Sequence, residues 1–227
     1  MSKGIFITAT GTDIGKTYVT GLIVKGLRQA GYKAGYYKAA LSGALPSSEG
    51  LIPGDAAFVA QMAGLEEKPA SLVSYIYEAA VSPHLAALRE GNPVDLEKVA
   101  KDYALAKDRY DYVTVEGSGG IICPIRWDAE QHILLEDIIK RLDLGTIVVS
   151  TAALGSINAC VLTIAYLQQR NIPVRGIILN NYNPDNFMEA DNKKMMEALT
   201  GIPVLGTVAP NGTELNMDMA ALAALYK

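Results

Sequence analysis

Thr8-Ala9-Thr10-Gly11-Thr12-Asp13-Ile14-Gly15-Lys16-Thr17 joins two contrasting patterns. Before it lies the apolar, strand-like run Gly4–Thr8. After it, Val19, Leu22, Ile23, Leu27 and Ala30 recur at helical spacing, and Gly31 supplies the stop. Gly-Lys-Thr between a strand and a helix N-terminus is the setting of a phosphate-binding loop. Backbone N–H groups of such a loop attract phosphate oxygens. Lys16 would reach the β- and γ-phosphates of a nucleotide, and Thr17 would offer its hydroxyl to Mg2+. The loop is atypical. The pattern G-x-x-x-x-G-K-[ST] requires glycine at position 10, where Thr10 stands, and Gly11 comes one residue later.

Outward from the loop, short β-rich runs alternate with helical patterns. Strands are predicted at Gly4–Thr8, Ala34–Lys38, Tyr112–Glu116, Thr146–Ser150, Arg175–Asn180 and Pro203–Thr207. Most are continuously apolar, as in strands buried on both faces of a parallel sheet. Helices are predicted after Lys16 and over Asp55–Ala63, Asp95–Lys107, Ile133–Leu142, Ser156–Gln169 and Glu189–Leu199. The Ala-rich tail Met217–Tyr226 reads as a docked helix. The alternation predicts an α/β fold: a doubly wound, mostly parallel sheet with helices on both faces, of the P-loop NTPase kind. Residues 1–227 read as one domain, without repeats or low-complexity tracts.

The formal net charge is −4, and no polybasic face is evident, so neither nucleic acid nor a membrane surface is an expected partner. No stretch reaches the ~18 apolar residues of a membrane span. The N-terminus lacks a signal-peptide pattern, and a cytoplasmic location is expected. Cys123 and Cys160 form no C-x-x-C pair and read as reduced, buried thiols. His84 and His132 stand apart from any cysteine partner, against a zinc site.

In a doubly wound sheet, ligands bind beyond the carboxyl ends of the strands. Lys38, read as the last residue of its strand, would add a second positive charge beside Lys16 for a transferring phosphoryl group. Ser42 follows in the same loop. Glu116 ends a buried strand and leads into Gly117-Ser118-Gly119-Gly120, where a Mg2+-binding carboxylate sits in P-loop enzymes. Asp55 after Pro53-Gly54 is either a helix N-cap or a second carboxylate for Mg2+. Ser82-Pro83-His84 and Leu154-Gly155-Ser156-Ile157-Asn158 both precede helices. The second has a helix N-terminus suited to a carboxylate, or simple capping. Asn180 and Asn181 end the fifth strand. An amide there could read an adenine edge, and turn chemistry alone also favours Asn.

Taken in order, these residues resemble the dethiobiotin synthetase family of biotin biosynthesis, nearly end to end. The resemblance is carried by Gly11-Thr12-Asp13 with Gly15-Lys16-Thr17, Tyr37-Lys38 with Ser42-Gly43, and Gly54-Asp55. It continues through Ser82-Pro83-His84, Val115-Glu116-Gly117-Ser118-Gly119-Gly120, Leu154 to Asn158, and Asn180. It implies a homodimer, with the site at the subunit interface, that uses ATP and Mg2+ to carboxylate and cyclise 7,8-diaminononanoate with CO2. The products are dethiobiotin, ADP and phosphate, by way of a carbamate and a carbamic–phosphoric anhydride. By the same resemblance, Lys16, Lys38 and Thr12 are catalytic. Thr12, Lys38, Ser42 and Pro83 meet the substrate, and Gly155, Ser156 and Asn158 of the partner subunit receive its distant carboxylate. Asp13 to Thr17, Glu116 to Gly119, Asn180 and the turn Ala209-Pro210-Asn211 hold the nucleotide. Thr17, Asp55 and Glu116 hold the metal.

The chain departs from the family at three places. Ala9 stands where many members have glycine, and Asn181 where aspartate often follows the adenine-binding Asn. Asn192 falls where some members carry a partner-subunit tyrosine. ParA- or MinD-like ATPase switches share the loop type but place a second lysine early in it, where Gly11 stands here.

Overall fold

The computed structural model describes residues 2–227. The chain runs β1 (Lys3–Ala9), α1 (Lys16–Gln29), β2 (Ala34–Leu41), the hairpin β3 (Leu45–Ser47) and β4 (Gly50–Ile52), then α2 (Gly54–Ala63). After a 3-10 turn come β5 (Val73–Ile76), α3 (Pro83–Glu90), α4 (Leu96–Arg109) and β6 (Tyr112–Glu116). A second hairpin, β7 (Pro124–Trp127) and β8 (His132–Leu134), leads to α5 (Leu135–Arg141), β9 (Thr146–Ser150) and α6 (Ser156–Gln169). β10 (Val174–Leu179), α7 (Phe187–Thr200), β11 (Val204–Thr207) and α8 (Met219–Ala224) complete it.

Seven strands form one sheet in the order β11-β10-β9-β1-β6-β2-β5, and every pairing in it is parallel. The expected doubly wound architecture is therefore present. Alternation along each strand divides the core. Ile5 and Ile7 of β1 pack with α1 and α8, whereas Phe6 joins the cluster under α4, α5 and α6. A third cluster packs α2 and Val24 of α1 on Tyr36 and Leu41 of β2. The tail helix docks as expected: Asp218 caps it, and Leu222, Ala223 and Tyr226 are buried.

Several expectations need correction. β2 does not stop at Lys38. Ala39, Ala40 and Leu41 continue it, and all are buried. Edge strand β5 escapes the apolar-run criterion because its four residues alternate buried and half-buried. The predicted helix from Ile133 starts only at Leu135, because Ile133 pairs with Arg126 in the second hairpin. The Asp128 side chain accepts from the backbone of Glu130 and Gln131 and so turns that hairpin. Asp95 does cap α4, accepting from Glu97 N–H at 2.8 Å. Asp55 does not cap α2. Pro53 occupies the cap position, and the Asp55 carboxylate serves elsewhere.

Candidate active site

The carboxyl ends of β1, β2 and β6 open into a cavity of about 450 Å3. Its lining brings together the candidates Thr12, Asp13, Gly15, Lys16, Thr17, Lys38, Ser42, Asp55, Ser118 and Gly119, with Gly11 and Leu41. On the phosphate loop, Asp13 and Gly15 adopt left-handed conformations, with φ of 60° and 86°. Such positions turn successive N–H groups into an anion-binding concavity at the start of α1. Gly15 has a second reason to lack a side chain: a Cβ there would lie 2.1 Å from Asn180 Nδ2. Asn180 donates that amide to Ile14 O at 2.9 Å and so braces the loop from β10. Gly15→Ala should therefore lower ADP affinity at least about tenfold through backbone strain and displacement of Asn180. An equilibrium titration with ADP checks this, and unchanged affinity would refute the strained-loop account.

Glu116 is the hub of the site. Parallel register sets it level with Lys38 on β2 and Ile7 on β1. Its Oε1 accepts from Thr17 Oγ1 at 2.7 Å, Lys38 Nζ at 2.9 Å and Lys16 Nζ at 3.1 Å. Its Oε2 accepts from Tyr36 OH at 2.9 Å. Lys38, only 2% exposed, also donates to Gly117 O and pairs with Asp55 Oδ2 at 2.8 Å. The site thus interleaves two cations with two carboxylates.

Burial would push the Glu116 carboxyl up, but the charges of Lys38 and Lys16 outweigh it and hold its pKa at about 2. Burial works against the Lys38 charge too, yet Glu116 and Asp55 overcome it and raise its pKa. Lys38 is therefore a fixed cation at neutral pH and not a base. Burial, and then repulsion from Lys38, lower the pKa of Lys16. Burial and the neighbouring Glu116 push the Tyr36 phenol far above its ordinary value, so it stays an O–H donor.

Thr17 and Asp55 line the cavity, and the buried Glu116 carboxylate stands behind its wall, accepting from Thr17 Oγ1; hard oxygens of this kind suit Mg2+. Among the described residues, no three His, Cys, Asp or Glu cluster to hold a metal by themselves. Mg2+ suits such a place because it takes one or two carboxylates and completes its shell with water and phosphate oxygens.

The remaining candidates line none of this cavity. Gly117 N–H bonds to Ile7 O, and Ser118 Oγ to Ala40 O at 2.7 Å, tying the glycine turn to β1 and β2. The Ala209–Asn211 turn is exposed, and Tyr18 of α1 holds it by donating to Gly212 O at 2.7 Å. Val208 N–H bonds to Leu179 O, so this turn lies next to Asn180. Pro83 is buried at the first position of α3. Gly155, Ser156 and Asn158 open α6 after β9 and line none of this cavity. Asn192 is buried and donates to Ala152 O at 2.8 Å, pinning the turn ahead of α6. Tyr36 and Tyr18 went unnoticed in the sequence. Only the period-two position of Tyr36, two residues before Lys38, could have drawn attention to it.

A P-loop on a parallel sheet, with two lysines and two carboxylates at the loop, defines a P-loop nucleotide-binding protein. A family model described as AAA domain matches residues 3–216. Solved structures with the same fold include a ParA family ATPase from Chlorobium tepidum TLS. It has a TM-score of 0.57 and 15% identity, over 92% of this chain and 84% of that one. The MinD cell division protein of Aquifex aeolicus gives a TM-score of 0.55 at 16% identity, over 92% and 83%. At such identities the likeness is one of fold alone. Curated relatives are far more similar. The ATP-dependent dethiobiotin synthetase BioD of Clostridium botulinum (strain Loch Maree / Type A3) is 48% identical over 100% of this chain and 99% of its own. That of Brachyspira hyodysenteriae is 51% identical over 92% of each chain. The chain belongs to the dethiobiotin synthetase family.

Proposed function

We infer that this chain forms dethiobiotin from 7,8-diaminononanoate and CO2, converting ATP to ADP and phosphate. The observation that carries the chemistry is the buried Lys38, held between Glu116 and Asp55 beside Lys16 of the phosphate loop. One substrate amine adds to CO2, losing a proton and giving a carbamate. A carbamate oxygen then attacks the γ-phosphorus and ADP leaves. The second amine attacks the carbonyl carbon of the resulting anhydride, and phosphate leaves as the cyclic urea closes.

Carbamate and γ-phosphate are both anionic and repel each other. Lys16 and Lys38 lower that repulsion, most of all as charge shifts in the transition state. When bound, Mg2+ at Thr17, Asp55 and Glu116 supplies further charge neutralisation on the phosphates. Thr12 and Ser42, which line the same cavity, hold the amine and carbamate end. On the nucleotide side, Asp13 to Thr17 cradle the phosphates. Asn180 and the Ala209–Asn211 turn border the base.

We extend the proposal to a homodimer of one-domain subunits. Leu154 and Phe187 are 88% and 89% exposed, and Leu162 and Leu199 are exposed on the neighbouring helices α6 and α7. Apolar side chains so placed suit a second copy. They would bring Gly155, Ser156 and Asn158 to the partner's substrate. No helix of the described residues is long and apolar enough to cross a membrane. Free, buried Cys123 and Cys160 accord with a cytoplasmic setting.

The test is ADP release by the purified protein with each component omitted in turn. Release is expected only when ATP, Mg2+, bicarbonate and diaminononanoate are all present. Turnover stimulated by DNA or lipid without the diamine would favour a ParA/MinD-like switch instead. Sedimentation should show a dimer, and Leu154→Asp with Phe187→Asp should yield monomers.

A further inference from the structure

Glu116 receives four hydrogen bonds, and they divide its two oxygens. Lys16, Thr17 and Lys38 all donate to Oε1, and all three line the cavity. Phosphate oxygens would compete with Glu116 for these donors, and a cation would compete with them for the carboxylate. Tyr36 alone donates to Oε2, and it does not line the cavity. Its side chain is 0% exposed, packed in the cluster that α1 and α2 build on β2. Strand geometry sets this up. Tyr36 precedes Lys38 by two residues and so shares its face. In register, Tyr36 lies beside Thr114 while Lys38 lies beside Glu116, so Tyr36 is the diagonal neighbour of the carboxylate.

A nucleotide can draw Lys16 and Thr17 away from Glu116, but it cannot reach the hydroxyl of Tyr36. We propose that Tyr36 is a positioning residue of the phosphate site. Its O–H holds the Glu116 carboxylate so that Oε1 stays directed at the cavity-wall residues Thr17 and Lys38 while Lys16 and Thr17 exchange carboxylate contacts for phosphate contacts. The assignment rests on the proposed place of Glu116 at the cation.

Tyr36→Phe removes the hydroxyl and keeps the ring, so packing is retained. The measurement is the affinity of the full-length protein for a non-hydrolysable ATP analogue, by calorimetry, in Mg2+ and in EDTA. The wild-type ratio of the two affinities reports coupling between nucleotide and cation. In Tyr36→Phe, affinity in EDTA should stay within about twofold, and the Mg2+ enhancement should shrink about tenfold, as when a partner of a metal ligand is lost. A hydroxyl that only satisfies a core hydrogen bond would lower the melting temperature and leave the ratio alone. Glu116→Gln is the control. If it shrinks the ratio and Tyr36→Phe does not, the role of Tyr36 is overturned and that of Glu116 stands. If neither variant changes the ratio, Glu116 is not at the cation, and the role of Tyr36 falls with it.

Discussion

Lys38→Ala should lower kcat for dethiobiotin formation by about 10^3-fold, the loss seen when a preorganised charge-stabilising donor is removed from a water-excluded site. The ammonium lies within 2.9 Å of Glu116 Oε1 and 2.8 Å of Asp55 Oδ2, at the wall of the cavity that holds the phosphate loop. It is charged before any substrate arrives, so no proton need move to create it. From its predicted place at the end of a strand, the substitution should leave the fold intact. The structure changes that expectation. Lys38 sits inside the sheet, and its loss leaves Glu116 buried with one lysine fewer. Removing one partner from a buried ion pair costs about 3–5 kcal/mol. Thr17, Lys16 and Tyr36 still donate to Glu116, so the lower end, about 3 kcal/mol, is expected. The two effects separate in experiment: denaturant unfolding reads the stability, and single-turnover ADP formation at saturating ATP reads the chemistry. A variant with near-wild-type turnover would make Lys38 a structural lysine.

The architecture was legible because parallel strands buried on both faces announce themselves as continuous apolar runs. β6 and β9 are read at their observed limits for that reason. β5 is too short and too exposed on one face to stand out. The hairpins at Leu45–Ile52 and Pro124–Leu134 depend on turn chemistry rather than on periodicity. At the site, the residue types were legible and their partners were not. Gly15-Lys16-Thr17 declares itself locally. The bond from Tyr36 to Glu116 spans 80 residues of chain and exists only because β2 pairs with β6 in one register. Asp55 is the opposite case. Its local context suggested a helix cap, but Pro53 takes that position, and one residue into α2 the Asp55 carboxylate pairs with the buried Lys38. An uncompensated buried ammonium costs more than the ~1 kcal/mol of a typical cap.

Glu116→Gln should combine the second-largest loss of turnover, about 10^2-fold or more, with a stability loss that depends on pH. Glutamine keeps the shape but removes the negative charge that Lys16 and Lys38 share. The lysines then repel each other with only Asp55 as counter-charge, so the phosphate-binding pair is misplaced. The pH dependence follows from the native carboxyl, held at about 2 against an ordinary value of 4.5. A depressed folded-state pKa contributes stability that is fully present above the unfolded value and is lost as pH falls through the folded one. For Glu116 this amounts to on the order of 3 kcal/mol above pH 4.5, declining toward pH 2. The glutamine variant has no such group to titrate. Its stability deficit relative to wild type should therefore be full at pH 7, begin to shrink below pH 4.5, and nearly close by pH 2. Urea unfolding of both proteins across that range makes the comparison, since the other carboxylates titrate alike in each and cancel. A deficit that stays constant with pH would mean that Glu116 is stabilised by packing and hydrogen bonds alone, and that the two lysines do not act on it as charges.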